Sequence, residues 1–184
     1  MSSAISICTN ALLLLGGSPI ASFDEATDSA RLCSNLWPTV RDAVLRAHPW
    51  NCTIKRVALA PKGEAPVYGH GYAFTLPSDC LRFLDADTAY EYTLEGRDIL
   101  ADENPLYIRY LYRNEDVNTY DALLCDVLTA AMQAHLAYPT TKSTTQQEAA
   151  WKLFFEKLKL ARAVDGQEGS PETFGDFPLI SARG

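Results

Sequence analysis

The stretch LRAHPWNCTIKRVALA, Leu45 to Ala60, decides how the chain is read. Up to Ala47 the apolar residues recur at helical steps, whereas Thr53 to Ala60 (TIKRVALA) follows an extended pattern. Between the two stand His48, Pro49 and Trp50. Pro49 disfavours helical backbone at His48 and so ends the helix. A large aromatic directly after that stop suits a joint, because its area can fix the angle between a helical body and a β body. His48, Pro49 and Trp50 therefore read as a structural corner.

On the N-terminal side of the corner the pattern is helical. Residues from about Ser3 to Leu15 predict a first helix, apolar over most of its surface and stopped by Gly16-Gly17 and Ser18-Pro19. A second helix is expected from about Ala26 to Ala47. Its apolar stripe is Ala26, Ala30, Cys33, Trp37, Val40, Val44 and Ala47, and Pro38 predicts a kink or break inside it.

On the C-terminal side short strands follow. They are expected at Thr53–Ala60, Tyr72–Leu76, Leu81–Leu84, Tyr90–Leu94 and Ile99–Leu100, with Glu95-Gly96-Arg97-Asp98 as a hairpin turn. Leu106 to Arg113 (LYIRYLYR) is the clearest strand. Leu106, Ile108, Tyr110 and Tyr112 share one face; Tyr107, Arg109, Leu111 and Arg113 share the other. These strands predict one small antiparallel β unit.

Helical periodicity returns from about Tyr120 to Tyr138, where Pro139 is expected to break it. Thr145 and Glu148 have capping-box spacing for a fourth helix ending near Val164, with Gly166 as its stop. Residues 167–184 read as an extended tail. The expected class is thus mainly α with a small antiparallel β insert (α+β). Residues 1–50 and 119–166 make a four-helix bundle, residues 51–118 the β insert between its second and third helices, and residues 167–184 the tail.

The 184 residues carry 23 acidic and 16 basic side chains, a net charge of −7. An acidic chain lacks the broad attraction for phosphates that a sequence-reading DNA-binding domain needs, although an acidic wall can let DNA slide past. The five cysteines are widely spaced with no C-x-x-C pair, so free thiols are expected and no zinc site. No Lys or Arg precedes Arg31, so the apolar run Ala11–Leu15 is not read as a secretion signal, and it is too short to cross a bilayer.

Candidates for chemistry are few. His48, His70 and His135 lie far apart, and His70 stands in a flexible Gly-His-Gly loop. The acidic pairs Asp85/Asp87, Asp102/Glu103 and Glu115/Asp116 could serve glycosidase chemistry only across a cleft, and otherwise are solvated surface. The strand carrying Tyr107, Arg109, Tyr110, Tyr112 and Arg113 is the best candidate nucleic-acid surface; the alternative is a sheet with one buried aromatic face. No catalytic residue, metal site or cofactor is expected.

An ordered series of motifs carries a resemblance. It runs Gly16-Gly17-Ser18-Pro19-Ile20, Ala30-Arg31, Leu36-Trp37-Pro38, Arg41-Asp42, Leu45-Arg46 and His48-Pro49-Trp50-Asn51. Leu76-Pro77-Ser78-Asp79-Cys80-Leu81-Arg82, Tyr107-Ile108-Arg109-Tyr110 and Ser181-Ala182-Arg183 complete it. In this order the series resembles the head-to-tail connector proteins of tailed bacteriophages, the group that includes tail tubular protein A. The resemblance implies a structural virion protein, made in the host bacterial cytoplasm and located at the head–tail junction. It implies a ring, dodecameric in the family, between the portal protein and the tail tube or nozzle protein. The ring conducts double-stranded DNA without reading sequence and helps to retain the packaged genome. It also implies portal docking by the C-terminal tail, through Phe174, Phe177, Leu179, Ile180 and Arg183, and a tail-facing β insert on which Arg109 and Arg113 could meet tail or DNA. No membrane association is implied. The competing classes are a peptidoglycan-degrading tail-associated enzyme and a small regulatory DNA-binding protein.

Overall fold

The structure, a computed structural model, describes residues 3–168. The expected tail residues Phe174, Phe177, Leu179, Ile180 and Arg183 lie outside them. Among the described residues four α-helices and six strands alternate as two helices, six strands, two helices. The helices are α1 (Ala4–Leu14), α2 (Asp28–Ala47), α3 (Ala122–Thr141) and α4 (Thr144–Glu168). The strands are β1 (Ile54–Leu59), β2 (Tyr72–Thr75), β3 (Cys80–Asp87), β4 (Thr93–Glu95), β5 (Asp98–Ala101) and β6 (Leu106–Tyr112).

Local chemistry sets the helix ends. The Ser3 hydroxyl accepts from the Ser6 amide and the Ser6 hydroxyl from the Ser3 amide, a capping box that starts α1. Thr27 and Asp121 cap α2 and α3 through the amides of Ala30 and Leu124. At the end of α1, Gly16 takes φ +75. Its amide donates to Leu13 O, and that of Gly17 donates back to Leu12 O at 2.9 Å. That 6→1, 5→2 pair is a Schellman motif, and it needs a left-handed residue at Gly16.

Several expected breaks are corrected. α2 continues through Pro38 without a break and α3 continues past Pro139 to Thr141. The carbonyls that each proline leaves without an amide partner belong to Ser34 and His135, both exposed, so water can replace the lost bond. α4 passes Gly166 and ends at Glu168, so Gln167 and Glu168 are helical and not part of a tail. The start of α4 is capped not by Thr145 but by the Ser143 hydroxyl, which accepts from the Gln146 amide. Tyr90 to Tyr92 stay outside the strand expected there, and β3 is longer than expected.

The strands form not one sheet but two, each antiparallel and three-stranded, with orders β1-β6-β3 and β2-β5-β4. β4 and β5 make the expected hairpin, pairing Glu95 with Asp98 across Gly96-Arg97. Gly96 has φ +61, the positive value that a type II′ turn asks of its first central residue.

Two main hydrophobic cores result, with a small cluster of Ala134, Ala137 and Ala150 besides. The larger joins the helices around Leu12, Cys33, Trp37, Leu45, Leu124, Leu128 and Met132. The smaller joins the sheets around Leu59, Phe74, Ile99, Leu106, Ile108 and Tyr110. α3 packs on each of the other three helices, which explains why it has the most buried residues of the four.

Candidate functional site

The corner of the opening stretch forms as a tightly bonded joint. His48 caps α2 in extended backbone, φ −147 and ψ 147, as Pro49 requires. Trp50 is fully buried, and its Nε1–H donates to Val44 O at 3.0 Å, so the polar end of the ring is satisfied inside the core. The indole belongs to the helical core, not to the sheet core. His48 stands edge-on to it at 4.7 Å. On its other side His48 Nε2 lies 2.8 Å from Asp165 Oδ2, and Asp165 Oδ1 accepts from the Asn51 amide at 3.2 Å. With the carboxylate as acceptor, Nε2 carries the hydrogen. The last turns of α4 are thereby fastened to the corner. Sequence reasoning missed Asp165, which is 117 residues away from His48 and belongs to no local pattern.

A polar seam joins helices to sheet. The Arg113 Nε donates to Asp42 Oδ2 at 2.7 Å, and the buried Arg41 holds both Asp42 and Glu115. Arg46 donates to Leu81 O. The buried Asn114 donates to Cys52 O at 2.8 Å and Thr119 Oγ1 at 2.7 Å, while the Tyr120 hydroxyl donates to Asn114 O. Arg113, expected to face tail or DNA, is thus committed to this seam.

Arg109 lies elsewhere, on the outer face of the sheet β1-β6-β3. It stands between Arg56 on one side and Asp85 on the other. Asp85 Oδ2 accepts from its Nε at 3.0 Å and its Nη2 at 2.5 Å, and Asp85 Oδ1 accepts from the same Nε at 3.2 Å. A groove of 420 Å³ runs over this row and is lined also by Tyr107 and Asp87. The surface expected from Tyr107, Arg109, Tyr110, Tyr112 and Arg113 is not brought together. Tyr110 and Tyr112 pack with the sheet core, where the Tyr110 hydroxyl donates to Asp79 Oδ1 at 3.2 Å and Lys55 stands 3.8 Å over the Tyr112 ring. Burial, reinforced by Asp79, pushes the Tyr110 hydroxyl up to about 12. Strand alternation separates Tyr110 and Tyr112 from Arg109, so of the three rings only Tyr107 shares its face.

His70 bridges Asp102 Oδ2, 3.2 Å from Nδ1, and Thr93 Oγ1, 3.2 Å from Nε2. The order carboxylate–imidazole–hydroxyl is that of a hydrolytic triad. Here it pins the 61–71 loop onto β4, assisted by the Gly71 amide donating to Asp102 at 2.7 Å. Of the acidic pairs, Asp85 and Glu115 are spent on arginines and Asp116 caps a short turn through the Asn118 amide. All five cysteines are free thiols. Burial, with Asp121 and Asp165 nearby, pushes the Cys52 thiol up to about 12, so it is protonated and unreactive at neutral pH. Among the described residues no group of three or more His, Cys, Asp or Glu is placed to hold a metal ion, and no helix is long and apolar enough to cross a membrane.

Large apolar side chains are exposed on both the β part and the helices. In the β part they are Val67, Tyr68, Tyr72, Tyr90, Tyr92, Leu94 and Tyr107, with Val67 at 99% and Tyr68 at 86% exposure. On the helical part they are Leu13, Leu14, Tyr138, Leu153, Phe155 and Leu160. No protein-family model matches the chain, and no curated protein matches it.

Proposed function

We propose that the chain is a head-to-tail connector subunit of a tailed phage, a structural virion protein that forms a ring between portal and tail. The single observation carrying this reading is the exposure of large apolar side chains in both the helical and the β regions. A lone globule has little use for two such regions, whereas a subunit wedged among neighbours covers both. The order of elements supports it, since the motifs Gly16–Ile20, His48–Asn51 and Leu76–Arg82 fall at helix ends and strand joints, while Leu36–Pro38 lies within α2. In this reading residues 1–50 and 119–166 are one four-helix bundle, and residues 51–118 project from its end as the β insert. Tyr68 and Tyr90 at the β tip meet the tail tube or nozzle protein, with Arg109 on the sheet flank beside passing DNA. The tail, through Phe174, Phe177, Leu179, Ile180 and Arg183, reaches the portal. An acidic ring wall lets double-stranded DNA through without gripping it. No catalytic step, metal or cofactor enters.

The test is co-expression with the portal protein of the same genome, followed by light-scattering mass and negative-stain images. The expected result is a stable complex with a ring stacked on the portal. Two species that elute apart sink the reading, and zymography with carboxylate variants and salt-dependent gel shifts then test the enzyme and regulator classes.

A further inference from the structure

Three arginines meet in a groove of 410 Å³ where the end of α2, β3 and the β4–β5 hairpin come together. They are Arg46, Arg82 and Arg97, and all three are exposed. Leu81, Phe83 and Leu94 belong to the apolar part of the lining, and no carboxylate belongs to the lining at all. Elsewhere on the β part, Arg56 apart, the cations are spent: Lys55 on Asp79, Lys62 on Asp98, Arg109 on Asp85 and Arg113 on Asp42. Arg46, Arg82 and Arg97 have no carboxylate partner among the described residues, and main-chain carbonyls hold them instead. Arg46 Nη1 donates to Leu81 O, Arg82 Nη1 to Arg46 O at 3.4 Å, and Arg97 Nη2 to Pro77 O at 2.5 Å. Leu81 is the extra residue of a bulge, since Cys80 pairs with Tyr112 and Arg82 with Leu111. The bulge leaves Leu81 out of the ladder, and its carbonyl goes to Arg46. Burial and Asp79 raise the Cys80 thiol in the same lining, while Arg97 and Arg46 act against both, so the fields of two of the cations overlap there.

We infer that this groove binds an acidic segment of a partner protein, with carboxylates on Arg46 and Arg82 and an apolar side chain against Leu94. The carbonyls orient the guanidinium groups without neutralising them, and they leave donors to spare. In Arg46 and Arg82 only Nη1 is engaged among the described residues, so the edge formed by Nε and Nη2 is open in both. That is the edge by which Arg109 grips Asp85. Asp79, next to the groove in sequence, is committed to Lys55 and Tyr110 and does not compete. Charge complementarity selects the occupant. Three uncompensated cations in a chain of net charge −7 suit a short anionic segment, whereas the acidic remainder of the surface turns a long polyanion away. The lining separates peptide from nucleic acid. Base stacking needs open ring faces, and the one ring here, Phe83, meets Tyr92 edge to face at 5.5 Å and packs with the sheet core. Leu81 and Leu94, the latter 50% exposed, instead match aliphatic side chains interleaved with carboxylates. The site is independent of the connector reading: portal binding tests one and peptide binding the other.

The probe is a fluorescein-labelled peptide of alternating Glu and Leu, titrated with the full chain at low salt and read by fluorescence anisotropy. Saturable binding is expected, and it should weaken as salt rises. The matched peptide of alternating Gln and Leu, and a single-stranded thymidine oligonucleotide, should each bind about tenfold less tightly or worse. Arg82 is exposed and its own bond is the 3.4 Å contact, so Arg82→Gln spares the fold. That variant should weaken peptide binding about tenfold, the loss of one charge-assisted pair. Arg56→Gln, which lies in the other groove, should leave binding unchanged. Hydrogen exchange locates the site without any substitution, and the peptide should slow exchange over residues 76–83 and 94–97. An oligonucleotide that binds as tightly as the peptide, an Arg82→Gln chain with wild-type affinity, or protection confined to other segments overturns the inference. Peptide binding that appears only in a chain carrying Glu172→Gln and Asp176→Asn assigns the groove to residues 169–184 of this chain and overturns it too. Absence of binding by either chain does the same.

Discussion

At the scale of single residues the joint at Trp50 concentrates the most consequence in the least sequence. The indole fills the helical core and its N–H is bonded to Val44 O, so truncation leaves both a cavity and a carbonyl without its donor. Trp50→Ala is expected to cost about 3–5 kcal/mol, read as a lowered denaturant midpoint; an unchanged midpoint excludes the joint as a load on stability. Gly16 is the second such residue. Its φ of +75 is left-handed, and a Cβ there meets no heavy atom within 4 Å, so backbone strain is the whole penalty. Gly16→Ala should therefore destabilise by about 1–2 kcal/mol, and thermal melts against the wild type measure it. The neighbouring Gly17 differs in kind: a Cβ there would stand 3.2 Å from Leu12 O, so its constraint is space.

At the scale of elements, the helices show how far proline and glycine signals depend on surroundings. Pro38 and Pro139 interrupt nothing, because each orphans a carbonyl on a watered side of its helix. Gly166 stops nothing either. It lies within α4, exposed, with open space where a Cβ would go. Gly166→Ala should thus stabilise the chain by about 0.5–1 kcal/mol, detectable as slower hydrogen exchange over the last turns of α4. Faster exchange there would mean that the glycine serves a bend. The fastening of those turns to His48 and Asn51 through Asp165 explains why α4 outlasts its own stop signal.

At the scale of the molecule, the two cores respond differently to acid. Three carboxylates of the β part are held below the ordinary range. At Asp79 partial burial raises the value, but the Lys55 ammonium and the Tyr110 hydroxyl outweigh it. Lys62 and then Thr75 lower Asp98, and the Gly71 amide and then His70 lower Asp102. A carboxyl lowered on folding adds stability that is complete above its unfolded value, about 4, and is lost as pH falls through the folded value. Acid below pH about 4 should accordingly loosen the sheets before the helices. Tyrosine-weighted near-ultraviolet signals should change ahead of far-ultraviolet helicity, and coincident transitions would show one cooperative unit instead.

The sequence by itself determined the helix and strand types, the order of helices around a β segment, the corner at Pro49 and the hairpin at Gly96. All of these follow from periodicity and backbone restriction within a few residues, where local chemistry has no rival. It also made the class α+β legible. Of the candidate site it made His48, Trp50 and Arg109 visible but not their partners Asp165, Val44 and Asp85, because no local rule links residues that only folding brings together. The division of the strands into two sheets, the commitment of Arg113 to Asp42 and the split of Tyr110 and Tyr112 from Tyr107 were decided by tertiary structure. So was the survival of α2 through Pro38. In each case the deciding quantity was whether a group faced water or another element, and a one-dimensional pattern does not contain it.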